Sequence, residues 1–498
     1  MEAIIKASLK LQFSTELVQY QSLIILTLVI YWIAARWNAL RERYSPQNMG
    51  LGLFAVIFGF GTFAAVVFAV DWGTEYLLLA ITLGLGIALA LSDTAISICF
   101  FLALLFLRPW EIMTEPNDHF ALLPKLTMAF CIGNALLRWA KTRAFNFKWN
   151  RTATALVGFA TWAFITTFKG GNMAENQALF FDNFFKCVFL FLLILNALDS
   201  REEINLIIWT IVITMFGVGV ASIYRTSLLA QALEGIAVLK VRLSGFGAFE
   251  NSNDIAALMV MILPFSLMPL IRKNIAIPVK IFCLSMVGII IECIRLSQSR
   301  GALMGVVAII GIMILSTMKN RKMAIILAAL GVAGVLAVAS VSSRSEADLA
   351  ESKEIRMVYI QTGLMMGVKN PVFGVGFNSY ANRFFEYATG AVDGAEHRTA
   401  HNSWVLAFGE TGFLGFLLFA SVYFTSLYNA FQFRKEKAEF FLAIVGYGIA
   451  MTFLSHTYFI YPYVLYALSG VASRLYGRPE PEKNTLASAT LLPEPQSN

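Results

Sequence analysis

Charge is what this sequence has least of. Only 14% of its 498 residues are Asp, Glu, Lys or Arg, against about a quarter in a soluble domain. That shortage, with 58% hydrophobic residues and a mean hydropathy of +0.68, excludes a soluble globule and a disordered chain alike. Cysteine is scarce too. Cys99, Cys131, Cys187, Cys283 and Cys293 lie inside or at the edge of apolar runs with no CxxC spacing, which reads as core packing rather than a disulfide frame or a zinc knuckle. Period-two alternation is missing, so a membrane barrel is excluded. H-x-x-E-H is absent, which argues against a zinc site of that type; His397 and His401 do stand in H-x-x-x-H spacing. "RLSG" and "ALSG" lack the first glycine of an intramembrane protease motif, and "GFGAF" and "GVGF" lack the lysine of a phosphate loop. "SEADLAESKE" spreads its acids around a helix rather than pairing them as metal ligands.

What the chain has instead is long apolar runs. A helix needs about 20 residues to cross a bilayer and satisfies its own backbone there. The runs predict an all-α polytopic membrane protein with roughly 13 to 15 spans, over 22–37, 49–70, 75–91, 95–107, 120–139, 152–168, 184–198, 204–223, 255–271, 279–294, 302–318, 323–341, 403–428, 438–456 and 458–473. The pair across "LALSDTAIS" is short and suits a hairpin of half-length helices. Residues before the first run, with "AIIKASLKLQF", read as an interfacial amphipathic helix rather than a cleaved signal, since the next run leads into another span. Residues 1–478 are taken as one transmembrane domain that includes a long loop at 342–402. The proline-rich, polar stretch 479–498 is expected to be a disordered cytoplasmic tail.

The formal net charge of +7 is spread over the gaps between spans, which speaks against nucleic acid. Basic clusters at Arg36/Arg41/Arg43, Lys141/Arg143/Lys148, Arg272/Lys273/Lys280, Lys319/Arg321/Lys322, Arg434/Lys435/Lys437 and Arg474/Arg478 all fall on one side by span counting. The positive-inside rule makes that side cytoplasmic. The connections 108–119, 169–183, 224–254, 292–301 and 342–402 are then external. The last is far longer than an ordinary loop, and such loops are usually functional.

Three of the four histidines (His119, His397, His401) lie in external connections, and His456 sits at the outer end of a span. Arginines gather there against the charge rule: Arg242, Arg295, Arg300 and Arg356. A guanidinium offers a planar fork suited to phosphate or carboxylate and is weakly hydrated, so it suits a half-buried anion site. The competing reading is interfacial snorkelling or pairing with a nearby acid.

The order "RLSGFGAFENSNDIAALMVMILP", "LSQSRGALMG", "NPVFGVGFNSY" and "HNSWVLAFGETGFLGF" resembles the O-antigen ligase and O-antigen polymerase family of bacterial envelopes, over about Arg242 to Gly415. The resemblance implies transfer of a glycan from undecaprenyl diphosphate to an acceptor hydroxyl at the periplasmic face of the inner membrane. The acceptor would be lipid A–core, another lipid-linked glycan, or a protein Ser or Thr. It maps the family's histidine onto His401 and its arginines onto Arg242 and Arg300; Arg356, an external arginine in the same stretch, is taken as a third diphosphate contact. Asn251, Asn253, Arg398, Asn402 and Glu410 are neighbours in the same motifs. The donor already carries a good leaving group, so neither a cofactor nor a metal is called for. What remains is holding diphosphate charge and deprotonating an alcohol, and an imidazole suits the second task. Asn402 and Ser403 could orient that imidazole or simply cap the following helix. Glu410, an acid inside a span, should pair internally. A polytopic flippase or transporter is the non-enzymatic alternative. It would place charges at mid-membrane and often show two related halves.

Overall fold

The computed structural model describes residues 2–38, 40, 77–108, 123–142, 147–232, 241–245, 251–317, 346–388 and 399–477. The expected spans 49–70 and 323–341, the tail 479–498, and His119, His397 and Arg398 lie outside them. Among the described residues every regular element is helical. In chain order they are α1 (Glu2–Ala35), α2 (Leu77–Ser92), α3 (Thr94–Leu107), α4 (Leu123–Thr142), α5 (Arg151–Thr166), α6 (Met173–Leu179), α7 (Phe185–Ala197), α8 (Arg201–Ala232), α9 (Ser252–Ile271), α10 (Ile277–Ser297), α11 (Arg300–Thr317), α12 (Glu346–Lys369), α13 (Phe384–Tyr387), α14 (Ser403–Gln432), α15 (Ala438–Ala450) and α16 (Ile460–Tyr476). Six helices there are long and apolar enough to cross a membrane: Leu17–Ala35, Met173–Ala197, Arg201–Gln231, Ser252–Ile271, Ile277–Ser297 and Ser403–Gln432. Shorter apolar helices accompany them, including the expected hairpin α2–α3. This is an all-α polytopic membrane protein.

Two boundaries differ from the sequence reading. Helix α1 is unbroken from Glu2 to Ala35, so the interfacial helix and first span expected separately form one element. The connection read over 169–183 is mostly helix, because α6 passes through a π turn (Phe180–Phe184) into α7. Polarity misled there. Asn176 is buried, and its amide donates to Ser379 Oγ at 3.2 Å.

The helices hold together as helices in lipid must. Their serines and threonines return hydroxyls to the carbonyl one turn back, as Thr210, Thr214 and Ser222 do in α8. Polar side chains also bridge helices: Trp32 Nε1 donates to Thr210 Oγ1 at 2.8 Å, and Gln21 Nε2 to the Leu107 carbonyl at 2.7 Å. Outward faces stay apolar, as in α10, where Ile277, Ile281, Leu284 and Ile291 are exposed. Such a surface suits hydrocarbon and not water.

One end of the bundle is ionic. Arg36 pairs with Asp93 at 2.6 Å and Arg138 with Glu203 at 3.0 Å; Lys148 and Arg474 both meet Asp199. Arg272 takes Glu439 at 2.8 Å, and Lys437 lies 3.8 Å from the same carboxylate. Five of the six basic clusters in the sequence thus contribute to one end; the sixth, Lys319/Arg321/Lys322, lies outside the described residues. The opposite end carries the long connection, whose described residues are folded. Tyr359, Met366, Val375, Tyr380, Phe384, Ala400 and Leu406 form a small core of their own, joining α12, α13 and the first turns of α14.

Candidate active site

At the loop end, four chain segments converge: 241–245, the first turn of α9, the α10–α11 turn, and the bend 399–402 leading into α14, with 451–459 beneath it. Asn251 starts α9 as its N-cap, its side chain accepting from Asn253 N at 3.0 Å. That cap leaves the Asn253 side chain facing Arg242, whose Nη2 donates to Asn253 Oδ1 at 3.3 Å and to the Ser297 carbonyl at 3.2 Å. The segment is pinned further by Leu243 N on the Leu296 carbonyl and by Arg225 on the Gly245 carbonyl. Ser297 closes α10. Three residues on, exposed Arg300 opens α11, with Gly301 packed against the Phe453 ring. Arg295 belongs elsewhere: it pairs with Glu292 at 2.7 Å, the bland reading of an interfacial arginine.

His401 sits just before α14 with a backbone φ of 47°, a left-handed conformation a non-glycine residue holds only where its surroundings insist. They do. Its N–H donates to Ser455 Oγ at 2.9 Å, Thr399 Oγ1 donates to the same hydroxyl at 2.6 Å, and its ring leans on Tyr359 with centroids 5.6 Å apart. Arg356 is one turn before Tyr359 on α12. Asn402 is the N-cap of α14, accepting from Trp404 N and Val405 N at 3.0 Å each. The capping alternative is therefore what its side chain does. Ser403 is buried and donates to the Met451 and Leu454 carbonyls.

Glu410 lies apart from this group. It marks a break in α14 at Gly412, whose φ of 69° and ψ of −169° are open only to glycine. The backbone groups freed there are taken up by an inserted turn: Val375 N donates to Gly409 O at 2.8 Å and Gly376 N to Glu410 O at 3.0 Å, while Phe413 N donates to Pro371 O at 2.7 Å. Trp162 Nε1 donates to Thr411 O at 2.8 Å. The buried Glu410 carboxyl accepts from Tyr380 N at 3.1 Å and faces the Tyr458 hydroxyl. Burial pushes the Tyr380 hydroxyl up and keeps it a donor to the Tyr359 carbonyl. "GVGF", a weak phosphate-loop signal in the sequence, is this stitch.

The structure thus has Arg242, Asn251, Asn253, Arg300, Arg356, His401 and Asn402 at the same end of the bundle, with Arg242 held on Asn253, and Glu410 two turns into α14. Residues 284–420 match the O-antigen ligase family. The match holds Arg300, Arg356, His401, Asn402 and Glu410; Arg242, Asn251 and Asn253 precede it and join through the contacts above. No curated protein matches the chain. Sequence reasoning gave no role to Asp254 and His456, which link the two halves: His456 Nε2 lies 3.0 Å from Asp254 Oδ1. The available signal was one of only four histidines at the end of a span.

Proposed function

We propose that this protein transfers a glycan from undecaprenyl diphosphate to an acceptor hydroxyl at the periplasmic face of the bacterial inner membrane. The observation that carries the reading is that Arg242, Arg300 and His401 lie at the same end of the bundle, opposite the basic clusters. The family match to O-antigen ligases supports glycan transfer in general. The positive-inside rule gives the basic end to the cytoplasm.

In this account the diphosphate lies among the guanidiniums of Arg242, Arg300 and Arg356. His401 takes the proton of the acceptor hydroxyl as its oxygen bonds to the anomeric carbon. The bond from that carbon to the diphosphate oxygen breaks, and its electron pair leaves on the lipid diphosphate. The arginines meet the charge where it develops, and hydrogen bonding to it counts most in a water-poor site. Leaving-group and base chemistry then need no metal. A charge-paired basic end and ionisable groups gathered at the other fit this better than a transporter, whose charges belong at mid-membrane.

The glycan phenotype of a deletion strain tests the function. Loss of long glycan from lipid A–core with lipid-linked polymer persisting identifies a ligase. Accumulated single repeats identify a polymerase, and unglycosylated secreted protein a protein glycosyltransferase. Loss of envelope glycan with the lipid-linked glycan trapped on the cytoplasmic side would overturn the reading in favour of a flippase.

A further inference from the structure

His456 is a buried titratable group that the mechanism above leaves unused. It is 4% exposed, yet both ring nitrogens are engaged. Tyr447 Oη lies 2.6 Å from Nδ1 and Asp254 Oδ1 3.0 Å from Nε2. The neutral tautomer with its proton on Nε2 serves both partners: the tyrosine hydroxyl donates to Nδ1, and Nε2–H donates to the carboxylate. Phe459 stacks on the imidazole with centroids 4.4 Å apart, fixing its plane. The main chain on either side is fastened as well. Ser455 Oγ receives the His401 N–H, His456 N donates to Ser403 Oγ at 2.9 Å, and Thr457 Oγ1 donates to the Ser403 carbonyl at 2.8 Å.

The other side of the pair leads to the arginine. Asp254 is in the first turn of α9, held by Asn251 Nδ2 at 3.3 Å, and its neighbour Asn253 receives Arg242. One side chain therefore stands between the histidine's segment and the arginine's. We infer that His456 is a positioning residue: with Asp254 it fixes the spacing between His401 and Arg242. The role in catalysis rests on the glycan-transfer reading; the mechanical role does not. Spacing matters because a base and an anion clamp act on opposite sides of one transferred sugar, and a misplacement of about 1 Å can cost roughly 10²-fold in rate. A merely packed histidine would need no carboxylate, whose burial costs free energy unless partnered.

Hydrogen-exchange mass spectrometry on the full-length protein in nanodiscs tests the strut without a substrate. His456→Leu should speed exchange about tenfold or more in both 251–256 and 401–406, the cost of losing a hydrogen bond to a charged group, while 260–271 stays at the wild-type rate. His456→Gln, whose amide can still reach Asp254, should recover most of the protection. With undecaprenyl diphosphate itself as the probe, His456→Leu should weaken binding about tenfold, and the His456→Leu/Arg242→Lys double variant should bind no worse than Arg242→Lys alone. Wild-type exchange in either segment of folded His456→Leu, or additive losses in the double variant, would overturn the proposal. Should His456→Leu not fold, Asp254→Ala truncates the partly exposed partner and is read the same way. A wild-type protein that does not bind undecaprenyl diphosphate would sink the transfer reading alone, leaving exchange to decide the strut.

Discussion

His401 holds a left-handed backbone, with its N–H on Ser455 Oγ and the Asn402 cap of α14 directly after it. A general base contributes a factor of roughly 10²–10⁴, so His401→Ala should lose transfer by that factor while still binding undecaprenyl diphosphate. The wild-type rate should fall as pH is lowered, since a protonated imidazole cannot accept the acceptor's proton. Glycine accepts this φ more readily than alanine, so His401→Gly should be as inactive yet melt no lower, separating base loss from strain. For the arginines, Arg242→Lys and Arg300→Lys keep charge but not the fork, and each should cost at least about tenfold in donor affinity by direct binding. Near-normal binding in both would return them to interfacial snorkelling. Arg242, Arg300 and His401 were legible because short motifs carry them. Asp254 and His456 were not, because their pairing joins positions 202 residues apart and leaves no spacing in the sequence.

Among the elements, α14 carries the information the sequence hid. Its apolar run reads as one span, and hydropathy cannot reveal that Gly412 breaks it or that Pro371–Gly376 fills the break. The break has a sharp consequence. A Cβ at Gly412 would stand 2.4 Å from the Val372 carbonyl oxygen, on a backbone with φ of 69°. Gly412→Ala should therefore destabilise the protein by at least about 1–3 kcal/mol, read as a lowered melting temperature in detergent. Gly288, in mid-α10 with open space around its would-be Cβ, is the control. Gly288→Ala should be neutral or slightly stabilising because alanine is the better helix former. Equal losses from both would mean the break is not strained. Hydropathy fared best for α9 and α10, whose ends fall within a few residues of the expected spans. It fared worst where polar residues are buried between elements, as in α6.

The whole molecule is polarised, with ion pairs at one end and the arginine–histidine group at the other. Sidedness follows from charge counting alone, so it needs its own test. The five native cysteines are buried and should give little background. Asn382→Cys, exposed in the long connection, should react with an impermeant maleimide in intact spheroplasts; exposed Lys435→Cys should react only after permeabilisation. The reverse pattern would place the site in the cytoplasm. The most direct measurement, however, is transfer itself. Purified protein in liposomes should move glycan from an undecaprenyl-diphosphate donor to a hydroxyl acceptor (lipid A–core, a second lipid-linked glycan, or a serine-containing protein) and release undecaprenyl diphosphate. That release should vanish in His401→Ala. Transfer undiminished in His401→Ala, or no glycan transferred to any of the three acceptors by folded wild-type protein, would contradict the account.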